Sequence, residues 1–202
     1  MKNLRYRIDG MLLASFLTTV FYSATYPFIH KAVMQELPNK YIAINQIINC
    51  ASVILFGKLW NSYSEKLFKF YTHYCIGEVL TTIGTYIFFI ISRNIAFYYM
   101  IDTIAFSIVT RNIICGGSKL RVLRYNTEEL REHFDNNNNS VQAAATIIGS
   151  CIAMWLNLDI ITMLGLATFG NIIDNVFYIN IYHNTQKKRK ERIQNGHNES
   201  FK

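Results

Sequence analysis

Six stretches of this chain are almost free of charge, and that spacing constrains the fold more than any other feature. They are 11–29, 41–57, 71–91, 95–117, 141–156 and 160–182, and the first two contain no charged residue at all. A helix needs about 17 to 25 residues to cross a hydrocarbon core, so five of the six are long enough and the fifth is slightly short. A soluble helical bundle would carry a charged stripe on each helix. With 51% hydrophobic residues and 16% charged ones, the chain has too much apolar surface for an ordinary soluble domain. The expectation is an all-α membrane protein with six transmembrane helices in a domain covering 1–183, followed by a basic, disordered cytoplasmic tail at 184–202. Segment 1 is too long for a signal-peptide core and has no small-residue cleavage site.

Orientation follows from the lysines and arginines. Six spans place the amino end, the 2–3 and 4–5 connections and the carboxyl tail on one side. That side holds Lys2, Arg5, Arg7, Lys58, Lys66, Lys69, Lys119, Arg121, Arg124, Arg131, Lys187, Lys188, Arg189, Lys190, Arg192 and Lys202, sixteen in all, against Lys31, Lys40 and Arg93 on the other. The positive-inside rule then puts both termini in the cytoplasm of a multi-pass plasma-membrane protein. The net charge of +7 is mostly a topology signal. KKRKER at 187–192 could touch anionic headgroups, and without a folded basic domain around it there is no nucleic-acid partner to expect.

Short connections at 92–94 and 157–159 force antiparallel hairpins. The longer 4–5 connection offers Asn126 as a helix cap with Glu129 three residues on, and Leu123, Leu130 and Phe134 on one stripe. A short amphipathic helix ending at the run Asn136–Asn139 is expected there. Ala143, Ala144, Ala145, Gly149 and Ala153 in span 5, with Gly165 and Gly170 in span 6, are the small residues that let membrane helices approach closely.

Four ionisable residues fall inside spans: Glu78, Asp102, Arg111 and Asp174. Each costs something like 2.5 to 3.5 kcal/mol at a span centre, so each should face a partner or a water-filled cavity. Counting from the cytoplasmic ends puts Glu78 about seven residues deep, Arg111 about six and Asp174 about eight, a shared level on helices 3, 4 and 6. Asp102 lies about 14 Å from Arg111 along a regular helix and on its opposite face. The three at one level form either an ion-pair network locking the helices or a polar site for a proton or charged substrate. His30 reads as interfacial. Asn45, Gln46, Asn49 and Asn171 are polar groups that could set specificity or simply bond across helices. Cys50, Cys75, Cys115 and Cys151 lack metal or disulfide spacing, and His73 and Cys75, two apart on a helix, point roughly 200° from each other. No cofactor is implied and no hydrolase, redox or nucleotide motif stands out, so an enzyme is not expected.

The stretch GKLWNSYSEK at 57–66 reads as a tight 2–3 connection. Gly57, Leu59 and Lys66 fit the pattern G-x-L-x-D-R-x-G-R-K/R, with Asn61 where the pattern has aspartate and Glu65 where it has arginine. Arg111 and Gly117 fit R-x-x-x-G-x-G, with Cys115 in place of its first glycine. Taken in order with the six spans, the long 4–5 connection and SVQAAATIIGSCIAM, these residues resemble the amino-terminal six-helix half of a major facilitator superfamily transporter. The resemblance covers 9–183. It implies a gating loop at 57–66, a charge network at one face of the membrane, and small-molecule transport by alternating access. Such transport needs two bundles, hence a homodimer, inserted in parallel, or a separately encoded second half. Other readings of the same pattern are a membrane accessory or immunity subunit and a six-helix substrate-capture subunit of an importer.

Overall fold

The computed structural model describes residues 9–155 and 158–199, with side chains given through Glu191. Lys2, Arg5, Arg7 and Lys202 of the charge tally, the Arg192 side chain, and residues 156 and 157 of the last hairpin lie outside the described residues. The described chain is helical, without a strand: α1 (Gly10–Glu36), α2 (Asn39–Phe68), α3 (Tyr71–Ser92), α4 (Ile95–Ala105), a π turn (Phe106–Thr110), α5 (Arg111–Arg124), α6 (Glu128–Trp155) and α7 (Ile160–Glu199).

Local chemistry sets several of these boundaries. Asp9 caps α1 by accepting from Met11 N–H at 2.8 Å, and Pro38 opens α2, where its missing N–H costs nothing. Arg93 takes the left-handed conformation at φ 54° that closes α3, and Asn94 then caps α4 by accepting from Phe97 N–H at 2.9 Å. Asp159 accepts from Thr162 N–H at 2.8 Å at the head of α7. Hydrogen bonding from Thr162 holds the exposed Asp159 carboxyl below its ordinary 3.8. A depressed carboxyl stabilises the cap above its unfolded pKa and loses that contribution as the pH falls through the folded one.

Four helices are long and apolar enough to cross a membrane, α1, α2, α3 and the Ile160–Glu191 part of α7, where six spans were expected. The fourth expected span is divided by the π turn into pieces of 11 and 14 residues, the second carrying Arg111, Lys119, Arg121 and Arg124. The fifth is the distal part of α6, whose first half holds Glu128, Glu129, Glu132, Asp135 and the asparagine run. Two connections and the carboxyl-terminal segment also differ from expectation. GKLWNSYSEK is not a tight turn: α2 runs through it with one kink at Tyr63 (φ −128°, ψ 23°), and the chain turns at Lys69 and Phe70. Trp60 explains this, because it sits 5% exposed inside an apolar cluster and donates to Asn112 Oδ1 at 2.9 Å. The asparagine run does not end a short helix either; Thr127, not Asn126, caps α6 by accepting from Leu130 N–H at 3.3 Å, and Asn136–Asn139 lie mid-helix. Asparagine costs a helix only a few tenths of a kcal/mol per residue, which packing on α1 overrides. Finally, α7 continues helically to Glu199, where the sequence predicts disorder.

The helices interleave. α1 packs on α6 and α7, α2 and α3 pack on the rod formed by α4, the π turn and α5, α3 packs on α7, and α1 touches α4. Exchanging α1 with the rod, α2 with α6 and α3 with α7 maps these pairs onto one another; α5 also touches α7. Two successive helix triplets therefore hold each other. Two apolar clusters brace the ends of the bundle. One gathers Met11, Trp60, Phe68, Tyr71, Leu120 and Tyr182, the other Val33, Leu37, Phe89, Ile95, Tyr98 and Leu164. Outward surfaces carry Ile47, Ile54, Leu80, Ile91, Ile147 and Trp155, a distribution that suits lipid and would be an aggregation hazard in water.

Close helix approach depends on particular glycines. A Cβ on Gly149 would meet Val20 O at 2.6 Å and Ser23 Cβ at 2.8 Å, so α6 lies directly on the α1 backbone there, while Gly84 has nothing within 4 Å. Gly149→Val should therefore destabilise the protein by about 1–3 kcal/mol through overpacking. Gly84→Ala should be neutral or stabilising by about 0.5–1 kcal/mol. Thermal unfolding of the purified variants in one detergent checks both; equal melting temperatures would contradict the α1–α6 packing.

Candidate functional site

Between the two apolar clusters lies a cavity of about 730 Å³. α1 contributes Ser15, Thr18, Tyr22, Thr25, Tyr26 and His30, α2 Asn49, α3 Glu78, Thr81 and Thr82, the rod Tyr98, Tyr99, Asp102, Thr103 and Thr110, and α7 Thr168, Asn171, Asp174 and Tyr178. With Asn138 and Gln142 of α6, hydroxyls, amides, phenols and three carboxylates thus converge from six elements. No helix could bury these groups against lipid, and the bundle turns them inward.

Glu78 is the hub. It is 8% exposed, and both carboxylate oxygens are occupied by donors from other helices. Thr110 O–H, at the end of the π turn, makes a very short bond to Oε1. Asn175 Nδ2 donates to Oε2 at 2.7 Å. Asn175 also donates to Asn171 O at 3.0 Å and to its Oδ1 at 3.2 Å, and Thr82 donates to Asn171 Oδ1 at 3.3 Å. Beside this chain, Thr18 O–H of α1 donates to Asp174 Oδ1 at 2.5 Å. One polar layer thereby joins α1, α3, the rod and α7.

The expected constellation is part of this arrangement and part not. Glu78, Asp102 and Asp174 all line the cavity. Asp102 does so without a hydrogen-bond partner among the described residues, so its acceptors are free to face an occupant. Arg111 does not join them. Its guanidinium lies over the Phe106 ring, 5.7 Å from the centroid, its Nε is buried without a partner, and no salt bridge within 4 Å includes it among the described residues. An ion-pair network of Glu78, Arg111 and Asp174 is therefore absent. The π turn is the physical reason: unlike a regular helix, its wider turn sets the rotation of the rod so that Thr110, the residue before Arg111, meets Glu78. Such turns recur at functional sites. The same segment aims Ser107 O–H at Asn49 Oδ1, 3.0 Å away.

The residues expected in a gating loop sit within α2 at the charged end of the bundle, away from the cavity. Gly57 is half-buried with open space around it, and Leu59, Asn61, Glu65 and Lys66 are exposed along α2. Glu65 accepts from Lys119 Nζ at 2.8 Å and lies 3.9 Å from Arg189. Lys119 also donates to Ser64 at 3.2 Å. Arg121 pairs with Asp135 at 2.6 Å and Arg124 with Asp9 at 3.2 Å. The start of α1 and the ends of α2, α5 and α7 therefore meet at one end of the bundle. Exposed pairs of this kind contribute about 0–1 kcal/mol each, so they tie elements together without deciding the fold.

Asn175, Thr18, Thr82 and Thr110 were not singled out in the sequence. The signal available was Asn171, Asp174 and Asn175 at i, i+3 and i+4, one face of α7 at helical spacing. The lining tyrosines give no such signal, because a tyrosine in an apolar run reads equally as lipid-interface anchor. His30 stacks on Tyr26 at 5.5 Å and lines the cavity, so it is an inner residue as well as an end one. His73 is exposed while Cys75 is fully buried, and all four cysteines are free thiols.

The apolar helices and inward polar layer are those of a helical membrane-embedded protein. No family model matches the chain, and no curated protein or solved structure matches it either.

If Asn175 and Thr110 hold the Glu78 carboxyl, Asn175→Leu with Thr110→Val should cost about 2–3 kcal/mol, since a buried acceptor loses its donors. Adding Glu78→Leu should recover most of that, because removing both partners together is close to neutral. Thermal unfolding of the three proteins is the measurement, and a triple variant as unstable as the double one would contradict the assignment.

Proposed function

We propose that this chain is a half-size transporter of the major facilitator type, crossing the plasma membrane six times with both termini in the cytoplasm. It moves a small molecule by alternating access, either as a parallel homodimer or with a separately encoded second half. The observation that carries the reading is the polar cavity held between two mutually exchanged helix triplets. Three helices per repeat make the second triplet inverted relative to the first, and nested inverted triplets around a midplane site are the architecture expected of one such half. The interrupted rod and the short apolar part of α6 become the fourth and fifth spans, the polar groups of the rod facing protein and cavity. The meeting of α1, α2, α5 and α7 termini at one charged end supports the common side of both termini, and the lysine and arginine bias makes that side cytoplasmic.

The lining also favours a class of solute. Three carboxylates face the cavity, Arg121 at its edge is already paired with Asp135, and the rings of Tyr22, Tyr98, Tyr99 and Tyr178 form part of its wall. A neutral polar or cationic molecule fits such a lining, since cations gain from both carboxylate and aromatic face; a free anion does not. Asp102 supplies the acceptor that no protein group satisfies.

Proteoliposomes loaded with a fluorescent organic cation such as ethidium test this. Wild-type protein should give saturable flux, and Asp102→Asn should lower it about tenfold or more, as expected for loss of a desolvated charge contact of about 1.5–3 kcal/mol. Native mass measurement in mild detergent should show a dimer or a complex with a second half. A lone monomer with no flux of cationic or neutral solutes would overturn alternating access.

A further inference from the structure

We propose that a second cavity, at the charged end of the bundle, binds the phosphate of an anionic phospholipid and clamps the α5–α6 connection to α7. This cavity of about 330 Å³ is lined by Val122, Leu123, Arg124, Asn126, Arg131, Thr185, Lys188 and Arg189. Four of the eight lining residues are cations and none is an acid, the reverse of the main cavity. Thr185, Lys188 and Arg189 lie at i, i+3 and i+4 and present one face of α7; Arg124 ends α5, and Arg131 comes from the first turns of α6.

The carboxylates at this end leave two of those cations unmatched. Asp9 takes Arg124 at 3.2 Å, and Glu65 is 3.9 Å from Arg189 but bonds Lys119 more closely at 2.8 Å. Asp135 is held by Arg121. Arg131 reaches only the Tyr125 carbonyl, at 3.4 Å, and neither Arg131 nor Lys188 has a carboxylate within 4 Å among the described residues. Converging like charges around a cavity repel one another unless an anion sits among them. A phosphate group, with several acceptor oxygens, matches guanidinium and ammonium donors closely.

Position selects the lipid as its source. Ile181 and Tyr182 are the last apolar pair of α7 to pack into the bundle, and Lys188 lies two turns beyond, at the level where headgroups meet basic residues on the cytoplasmic side. Val122 and Leu123 add an apolar wall on which the start of an acyl chain could rest. The transport reading is not needed for this site, which stands on its own residues.

Full-length protein in a mild neutral detergent is titrated with phosphatidylglycerol, phosphatidylcholine or inorganic phosphate while the melting temperature is followed. Phosphatidylglycerol should raise it saturably, with phosphatidylcholine and inorganic phosphate giving little. Arg131→Gln with Lys188→Gln should weaken half-saturation about thirtyfold, at about 1 kcal/mol for each cation removed. Lys187→Gln with Lys190→Gln removes the same charge from exposed positions outside the cavity, and should leave the response near wild type. Arg131→Lys with Lys188→Arg keeps the charge and should keep most of the response, which separates lost binding from lost folding. Equal loss in the two glutamine pairs would mean general attraction to the basic tail, and an equal response to inorganic phosphate would mean a soluble anion site. Either result, or no response to any phosphate, overturns the proposal.

Discussion

Everything in this bundle is arranged around the carboxyl group of Glu78, 8% exposed in an otherwise apolar helix. A buried carboxylate must be satisfied on both oxygens, and here the donors come from two other helices, Thr110 on the rod and Asn175 on α7. That requirement fixes the rotation of three helices at once. Thr18 and Asp174 then bring α1 into the same layer. Apolar packing by itself does not choose a rotation for helices in lipid, because a leucine is as comfortable against an acyl chain as against a neighbour. The polar layer makes the choice, and the apolar clusters on either side close around it.

The close-approach glycines act on the same geometry from the other direction. Gly149 lets α6 lie on the α1 backbone, and Gly170 lets α7 come within reach of Phe21. With α1 held between α6 and α7, and the rod held between α2 and α3, each triplet supplies the central helix that the other grips. The cavity lies between these two central helices, which is why most of its polar lining comes from α1 and the rod.

Much of this was legible in the sequence, and the failures share a cause. Charge-free stretches located α1, α2, α3 and the apolar part of α7, and the depth of Glu78 and Asp174 placed both at one level, where both line the cavity. Arg111 was placed in their network by the same arithmetic and is absent from it, because counting residues assumes a uniform α-helix and FSIVT forms a π turn. Nothing in those five letters announces a π turn. GKLWNSYSEK reads as a connection because its polar letters outnumber its apolar ones, yet the single Trp60, bonded to Asn112, anchors the segment to the core as helix. The asparagine run misled in the same way: local propensity favoured a break, and contact with α1 outweighed it. The residues missed outright, Thr18, Thr110 and Asn175, are neutral donors, and a scan for charges passes over them.

That neutrality bears on motion. Had Arg111 paired with Glu78 and Asp174, separating them would have left uncompensated charges in a low-dielectric layer, at a cost of about 3–5 kcal/mol for a broken buried pair. Hydroxyl and amide donors each contribute only about 0.5–3 kcal/mol net, and water entering the cavity can replace them. A layer of threonines and asparagines therefore holds the helices in register without making their separation prohibitive. The ionic ties sit instead at the charged end, where solvent screens them and where Glu65, Lys119 and Arg189 link the ends of α2, α5 and α7. Weak, solvent-screened ionic ties at the rim and water-exchangeable hydrogen bonds at the polar centre thus hold the helices in register at a modest cost of separation.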